Sequence, residues 1–307
     1  MILCCGEALI DMLPRKTAEG EGCFAPHSGG AVFNTAIALG RLGAPAGFFS
    51  GLSNDLFGRQ LAEALAASGV DTSYAIRSDR PATLAFVHLK DGQASYDFYD
   101  ENTAGRMLAE ADLPDLPAAV DALYFGSISL VNDPAASTYE ALCAREAPTR
   151  LIMFDPNIRA SFVTDEKSYR ARVARMMKLA DIVKLSDEDL HWLEGKGDSA
   201  DLAAGLLSRG PKIVCITEGA TGATAYTARD KLFVPSRKVE VADTVGAGDT
   251  FNAAMLASLH RQGKLTKAAV AAADKPMLEH MLTLGVKASA VTVSRAGANP
   301  PWAREID

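Results

Sequence analysis

Asp243-Thr244-Val245-Gly246-Ala247-Gly248-Asp249-Thr250-Phe251, followed by the mostly apolar residues 252–260, decides how this chain is read. The small residues at 246–248 let the backbone approach a ligand closely. They fall where a loop becomes a helix. There, unpaired N–H groups and the positive end of the helix dipole face outward together. Such a turn is a preformed anion site suited to a phosphate. Asp249 falls in the first turn, where a carboxylate is favourable for structural reasons alone. Asp243 lies just upstream, so two carboxylates flank one anion-binding turn, and capping requires only one.

Two familiar phosphate motifs are excluded. Gly-x-x-x-x-Gly-Lys-Ser/Thr occurs nowhere in the chain, and Phe251 stands where a dinucleotide fingerprint has its third Gly. Gly51-Leu52-Ser53-Asn54-Asp55 lacks the final Gly of a nucleophile elbow. NAD-dependent and serine-hydrolase readings are rejected on these grounds.

A second segment, Ser28-Gly29-Gly30-Ala31-Val32-Phe33-Asn34-Thr35-Ala36, repeats the pattern of a Gly pair before a helix. Asn34, early in an otherwise apolar helix, both donates and accepts hydrogen bonds, which suits a polyol.

Around these segments, short apolar runs alternate with helical patterns. Strands are expected at 2–5, 46–50, 123–125, 151–154, 181–185, 212–217 and 290–294. Helices are expected at 32–42, 56–67, 135–145, 169–179, 187–193, 199–208 and 247–261. This alternation points to βα units around a mainly parallel sheet. Runs such as IVCIT and LIMFD lack clean alternation, as strands covered on both faces do. Residues 12–28 and 82–99 break the rhythm. The second reads as a hairpin, with Asp91-Gly92 as its turn. No helix is left to cover it, so it is expected to stand off the main sheet as a lid or a dimer contact. One core domain over residues 1–307 with a β appendage fits better than two equal domains.

Composition narrows the class. With 48% apolar and 22% charged residues, the chain belongs with folded globular proteins. Its 31 Lys+Arg against 38 Asp+Glu give a net charge of −7, which argues against nucleic acid as the main partner. No apolar run approaches the ~18 residues of a membrane span, and the start lacks a signal-peptide pattern. Five cysteines without a Cys-x-x-Cys pair read as small buried hydrophobes. A cytoplasmic protein is expected.

The two Gly-rich segments carry a resemblance. GGAVFNTAIALGRLG with GLSNDLFG is similar to the first signature of the PfkB (ribokinase-like) carbohydrate kinases, and DTVGAGDTF to their second. GEALID at 6–11, FDPNIR at 154–159, CITEGATGA at 215–223 and GANPP at 297–301 extend the likeness over essentially the whole chain. The combination resembles the fructokinase-like branch most. The implied fold is a three-layer α/β ribokinase-like fold with a mainly parallel central sheet and a small β lid from about 12–28 and 82–99.

The resemblance also implies roles. Asp249 matches the catalytic base, and Gly246, Ala247 and Gly248 match the anion hole. Asp11, Gly29, Gly30, Asn34 and Asp243 match sugar ligands, with Asp11 expected at the end of the GEALID strand. Arg159 matches an Arg near substrate and phosphate, and Phe98 with Tyr99 a lid that closes over the sugar. Thr217, Glu218, Gly219 and Gly222 match a loop bordering the nucleotide, with residues 284–290 walling the adenine. The family often has Asn-x-x-Glu where this chain has Ser186-Asp187-Glu188-Asp189. Asp189 keeps a carboxylate for Mg²⁺, Ser186 keeps a hydroxyl, and Lys184 is placed near the phosphates. ATP and Mg²⁺ are implied, with a monovalent cation such as K⁺ as a further candidate and a homodimer through the lid in some members.

Fructose is the first choice of sugar. 2-Keto-3-deoxygluconate is the alternative, and its carboxylate would look to Arg106 or Arg159. A non-catalytic sugar- or nucleotide-binding protein on the same fold would be expected to lack Asp249 or the small residues before it, and both are present.

Overall fold

A computed structural model describes residues 1–90 and 93–306. The chain opens with β1 (Ile2–Cys5) and leaves the core as β2 (Leu9–Lys16) and β3 (Gly22–Gly29). It returns through α1 (Ala31–Arg41) to β4 (Ala46–Phe49). Short strands β5 (Gly51–Ser53), β6 (Val70–Asp71) and β7 (Ile76–Ser78) accompany α2 (Leu56–Ala67), before β8 (Leu84–Lys90) and β9 (Gln93–Tyr99). Then β10 (Ala122–Gly126), β11 (Leu151–Asp155), β12 (Ile182–Ser186) and β13 (Ile213–Thr217) alternate with α3 (Ala135–Glu146), α4 (Glu166–Leu179), α5 (Asp187–Glu194) and α6 (Ser199–Leu207). The strands β14 (Gly222–Tyr226) and β15 (Lys231–Pro235) precede α7 (Ala247–Arg261), α8 (Lys267–Ala271) and α9 (Lys275–Val293).

Nine strands form the main sheet in the order β15-β14-β13-β12-β11-β10-β1-β4-β6. All pairings from β6 to β13 are parallel, while β14 and β15 add an antiparallel edge. Ile2 and Cys4 enter one apolar cluster with α1, α7 and α9. Leu3 and Cys5 enter the other, with α3 and α4. The two-residue alternation of a strand thus separates two helical layers on either side of one sheet. This is the expected three-layer α/β architecture. The cysteines are free, and four of the five are buried.

A second sheet, in the order β3-β2-β8-β9, is separate from the first and is built from the segments expected to form the lid. Its strands begin at Leu9, so residues 12–28 are two paired strands. Asp91-Gly92, the expected hairpin turn, lies outside the described residues.

Two expectations need correction. Residues 290–294 are not a strand; 290–293 form the last turn of α9 and Ser294 caps it. The β-branched run AVTVS misled, because burial at Met277, Leu278, Met281, Leu282, Gly285, Val286 and Ala288 follows helical spacing up to Thr292. Asp11 is not at the end of a core strand either. It sits inside β2, opposite His27 of β3, and belongs to the lid.

Candidate active site

α7 begins at the decisive turn. Gly246 is its N-cap, at φ 77°, a left-handed conformation that favours Gly. A Cβ there would also come within 2.7 Å of Ala298 Cβ. α9 supports the turn from behind. Ser289 donates to the Ala247 carbonyl at 2.9 Å, and the Thr250 and Thr292 hydroxyls bond at 2.9 Å. Phe251 packs where Gly285 has no side chain; a Cβ at 285 would meet the ring at 2.6 Å. The early amides of α7 are thereby held with the dipole's positive end outward.

Asp249 lies in the first turn of α7 and is 7% exposed. Asn34, in the first turn of α1, donates from Nδ2 to Asp249 Oδ2 at 2.9 Å. The two Gly-led helices, far apart in sequence, therefore meet at this carboxylate. Burial pushes the Asp249 carboxyl up to about 7. The Asn34 amide opposes that shift, Asp155 adds to it, and Lys184 and Arg159 oppose it.

Lys184, on β12, reaches the same turn: a Cβ on Gly248 would lie 3.2 Å from its Nζ. Its ammonium pairs with Asp155 Oδ2 at 3.0 Å, and the two side chains are 5% and 1% exposed. Burial alone would lower the Lys184 pKa. Attraction by Asp155, Asp189 and Asp249 outweighs it and holds the ammonium above its ordinary value. Asp155 also accepts from Asn252 Nδ2 at 2.7 Å.

The Gly29–Gly30 turn joins lid to core. Gly30 caps α1 at φ 108°, and a Cβ there would come within 2.9 Å of the Glu7 carbonyl. A Cβ on Gly29 would overlap Asp11 Oδ2 at 2.2 Å, so the missing side chain makes room for that carboxylate. Burial pushes the Asp11 carboxyl up to about 6. Phe98 lies on the same lid face and packs on Phe162 at 5.1 Å between ring centroids; Tyr96 packs on Phe162 from 6.2 Å. Tyr99 points to the opposite face, where it packs edge-on against Phe86.

The remaining expected residues serve local structure as well. Asp243 accepts from Val245 N at 3.0 Å and Gly297 N at 2.9 Å, tying the decisive turn to the GANPP loop. Asp189 accepts from Ile158 N at 2.9 Å, and with Ser186 it forms a reciprocal capping box at the start of α5. Among the described residues, no cluster of three His, Cys, Asp or Glu side chains is placed to hold a metal ion. Arg159 is exposed and bonds to Asn157 Oδ1 at 2.8 Å. Thr217 ends β13 beside Ser186, the end of β12. Glu218, Gly219 and Gly222 form the turn into β14, with Gly219 at φ 51° and Gly222 at φ 147°.

Sequence reasoning passed over Asp155 and Glu7, although both lie inside motifs it quoted, FDPNIR and GEALID. The available signal was a charged residue in an otherwise apolar strand run.

A buried carboxylate under an amide donor, at a helix start whose free amides suit an anion, is an arrangement that a phosphotransferase acting on a hydroxyl can use. The description of the pfkB family of carbohydrate kinases matches residues 1–304, and the chain belongs to that family. A fructokinase of Rhizobium leguminosarum bv. trifolii is 57% identical over 280 residues, covering 91% of this chain and 86% of that protein. The solved fructokinase of Xylella fastidiosa with bound ATP superposes with a TM-score of 0.88 at 30% identity, covering 97% of this chain and 93% of that one. A fructokinase double mutant of Vibrio cholerae O395, solved with fructose, ADP and potassium ion, gives a TM-score of 0.85 at 25% identity, covering 97% and 93%.

Proposed function

We propose that the protein is an ATP-dependent fructokinase. The observation that carries the reading is Asp249, buried in the first turn of α7 and hydrogen-bonded by Asn34 of α1. The sugar binds between Asp11, the Gly29–Gly30 turn, Asn34 and Asp243, beneath Phe98. Asp249 takes the proton of the acceptor hydroxyl. That oxygen attacks the γ-phosphorus, the bond to the β–γ bridging oxygen breaks, and ADP leaves. The amides of Gly246, Ala247 and Gly248 stabilise charge on the transferring group. Lys184 faces the same charge, and Arg159 approaches from the lid side. Thr217, Glu218, Gly219 and Gly222 border the nucleotide.

Mg²⁺ commonly keeps several waters and relies on substrate phosphates, which suits a site with few free carboxylates. Asp189 and Ser186 would reach it through water, and the ion would neutralise phosphate charge. A monovalent cation such as K⁺ is a further candidate, since the related fructokinase of Vibrio cholerae O395 was solved with potassium.

One of the two cations that a sugar acid would look to, Arg106, is already paired with Asp100 at 3.0 Å, which favours fructose. The 57%-identical relative supports the same choice. A coupled ADP-release screen over fructose, 2-keto-3-deoxygluconate, ribose, tagatose and adenosine tests it. Fructose should give the highest kcat/KM. Faster turnover of another acceptor, or ADP release independent of sugar, would overturn the reading.

The outer lid face exposes Phe24 at 43% and Tyr99 at 60%, with Phe86 between them. Exposed aromatics clustered on one sheet face suit a protein contact. We infer a homodimer through this face, with no nucleic-acid or membrane partner. Light scattering should give twice the chain mass; a monodisperse monomer at working concentration would exclude it. Among the described residues, no helix is long and apolar enough to cross a membrane.

A further inference from the structure

A small cavity of about 40 Å³ lies behind the Gly29–Gly30 turn, lined by Glu7, Phe98, Asp100, Arg106, Ser129 and Asn132 among others. Phe98 shares its lid face with Asp11, and Glu7 touches the turn itself. Glu7 Oε1 accepts from Ala31 N at 2.8 Å. The cavity therefore adjoins the proposed sugar site.

Its wall carries one cation and two carboxylates. Arg106 Nη1 donates to Asp100 Oδ1 at 3.0 Å, and Asn132 Nδ2 donates to Asp100 Oδ2 at 2.8 Å. The backbone holds the pair in place. Thr103 Oγ1 donates to the Asp100 carbonyl at 2.9 Å and accepts from Arg106 N at 3.3 Å. Glu7 Oε2 is buried with no hydrogen-bond partner among the described residues. Ser129, next to it in the wall, gives its hydroxyl proton to the Gly126 carbonyl at 2.5 Å. An anionic ligand group at this wall meets a guanidinium already neutralised by Asp100, with Glu7 close behind it.

We propose that Asp100 is a specificity-determining residue that occupies Arg106 and so excludes sugars bearing a carboxylate at this end. Specificity of this kind works by penalising the wrong ligand as much as by attracting the right one. The inference rests on the proposed sugar site.

The test is kcat/KM for fructose and for 2-keto-3-deoxygluconate in the wild type, Asp100→Asn, Asp100→Ser and Asp100→Asn with Arg106→Met. Freeing a guanidinium for a charged hydrogen bond should raise the acid-to-neutral ratio by at least about tenfold. The ratio should fall back when Arg106 is also removed. A merely structural role would lower both substrates together and leave the ratio flat. A flat ratio with fructose turnover intact overturns this proposal alone. Loss of fructose turnover in the wild type overturns the substrate reading. If neither single variant folds with a cooperative transition, Asp100 is a structural residue and the proposal fails.

Discussion

Asp249→Asn should lower kcat by about 10²–10⁴-fold, the usual contribution of a general base. Sugar and nucleotide binding, measured by calorimetry, should stay close to wild type. The amide keeps the size of the carboxylate, and its oxygen still accepts the Asn34 donor that approaches at 2.9 Å. What it loses is the ability to take a proton. Burial places the wild-type carboxyl at about 7, so the pH profile carries a second check. As pH falls through about 7, Asp249 becomes protonated and the wild-type kcat/KM should fall. That limb should be missing from the residual activity of the variant. Near-normal kcat in Asp249→Asn would place the base elsewhere.

The second large effect is on stability. Asp155→Ala removes the partner of Lys184 at a site where both side chains are almost fully enclosed. An unpaired buried ammonium is costly, and breaking such a pair typically costs about 3–5 kcal/mol. Asn252 loses an acceptor at the same time, and its Oδ1 already has no partner among the described residues. Denaturant unfolding should show a lower midpoint with an unchanged slope. Replacing both members, Asp155→Leu with Lys184→Met, should recover part of the stability, since the unpaired charge is gone while Asn252 still lacks its acceptor. Turnover should stay depressed in the double variant, because Lys184 also faces the 246–249 turn. A single variant within about 1 kcal/mol of wild type would mean that Lys184 finds Asp189 or water instead.

The layering was legible because buried parallel strands leave a clear trace: IVCIT and LIMFD are apolar in their first four residues, and both are strands enclosed by helices. Helix α7 was legible to the residue, since Gly246 and the apolar run after Asp249 mark its start and extent. The GGA and GAGD turns were legible as Gly-led helix starts, and Gly30 and Gly246 do cap α1 and α7. That Asn34 and Asp249 share a hydrogen bond was not, because only the tertiary fold brings two helix starts together. Two readings failed and one pair of strands was missed, each for a local reason. The β-branched 290–294 segment belongs to a helix whose packing overrides strand propensity. The edge strands β14 and β15 carry weak patterns, Ala- and Gly-rich in one and half-exposed in the other. Asp11 was given to the core because GEALID reads as one continuous strand, while the structure breaks it after Cys5. The Asp100–Arg106 pair had no sequence signal beyond two opposite charges six residues apart.

The seat of Asp11 inside β2 alters what kind of object the lid is. The carboxylate belongs to the same four-stranded sheet that presents Phe98, and Gly29, which makes room for it, is the last residue of β3 in that sheet. On the proposed assignment the cover and half of the acceptor's grip are one exchangeable module. Selection acting on the four lid strands can retune which sugar is held without touching the phosphoryl-transfer machinery carried by α7. On that assignment Asn34 and Asp243 stay beside Asp249, so only half of the acceptor's grip can change independently of the chemistry.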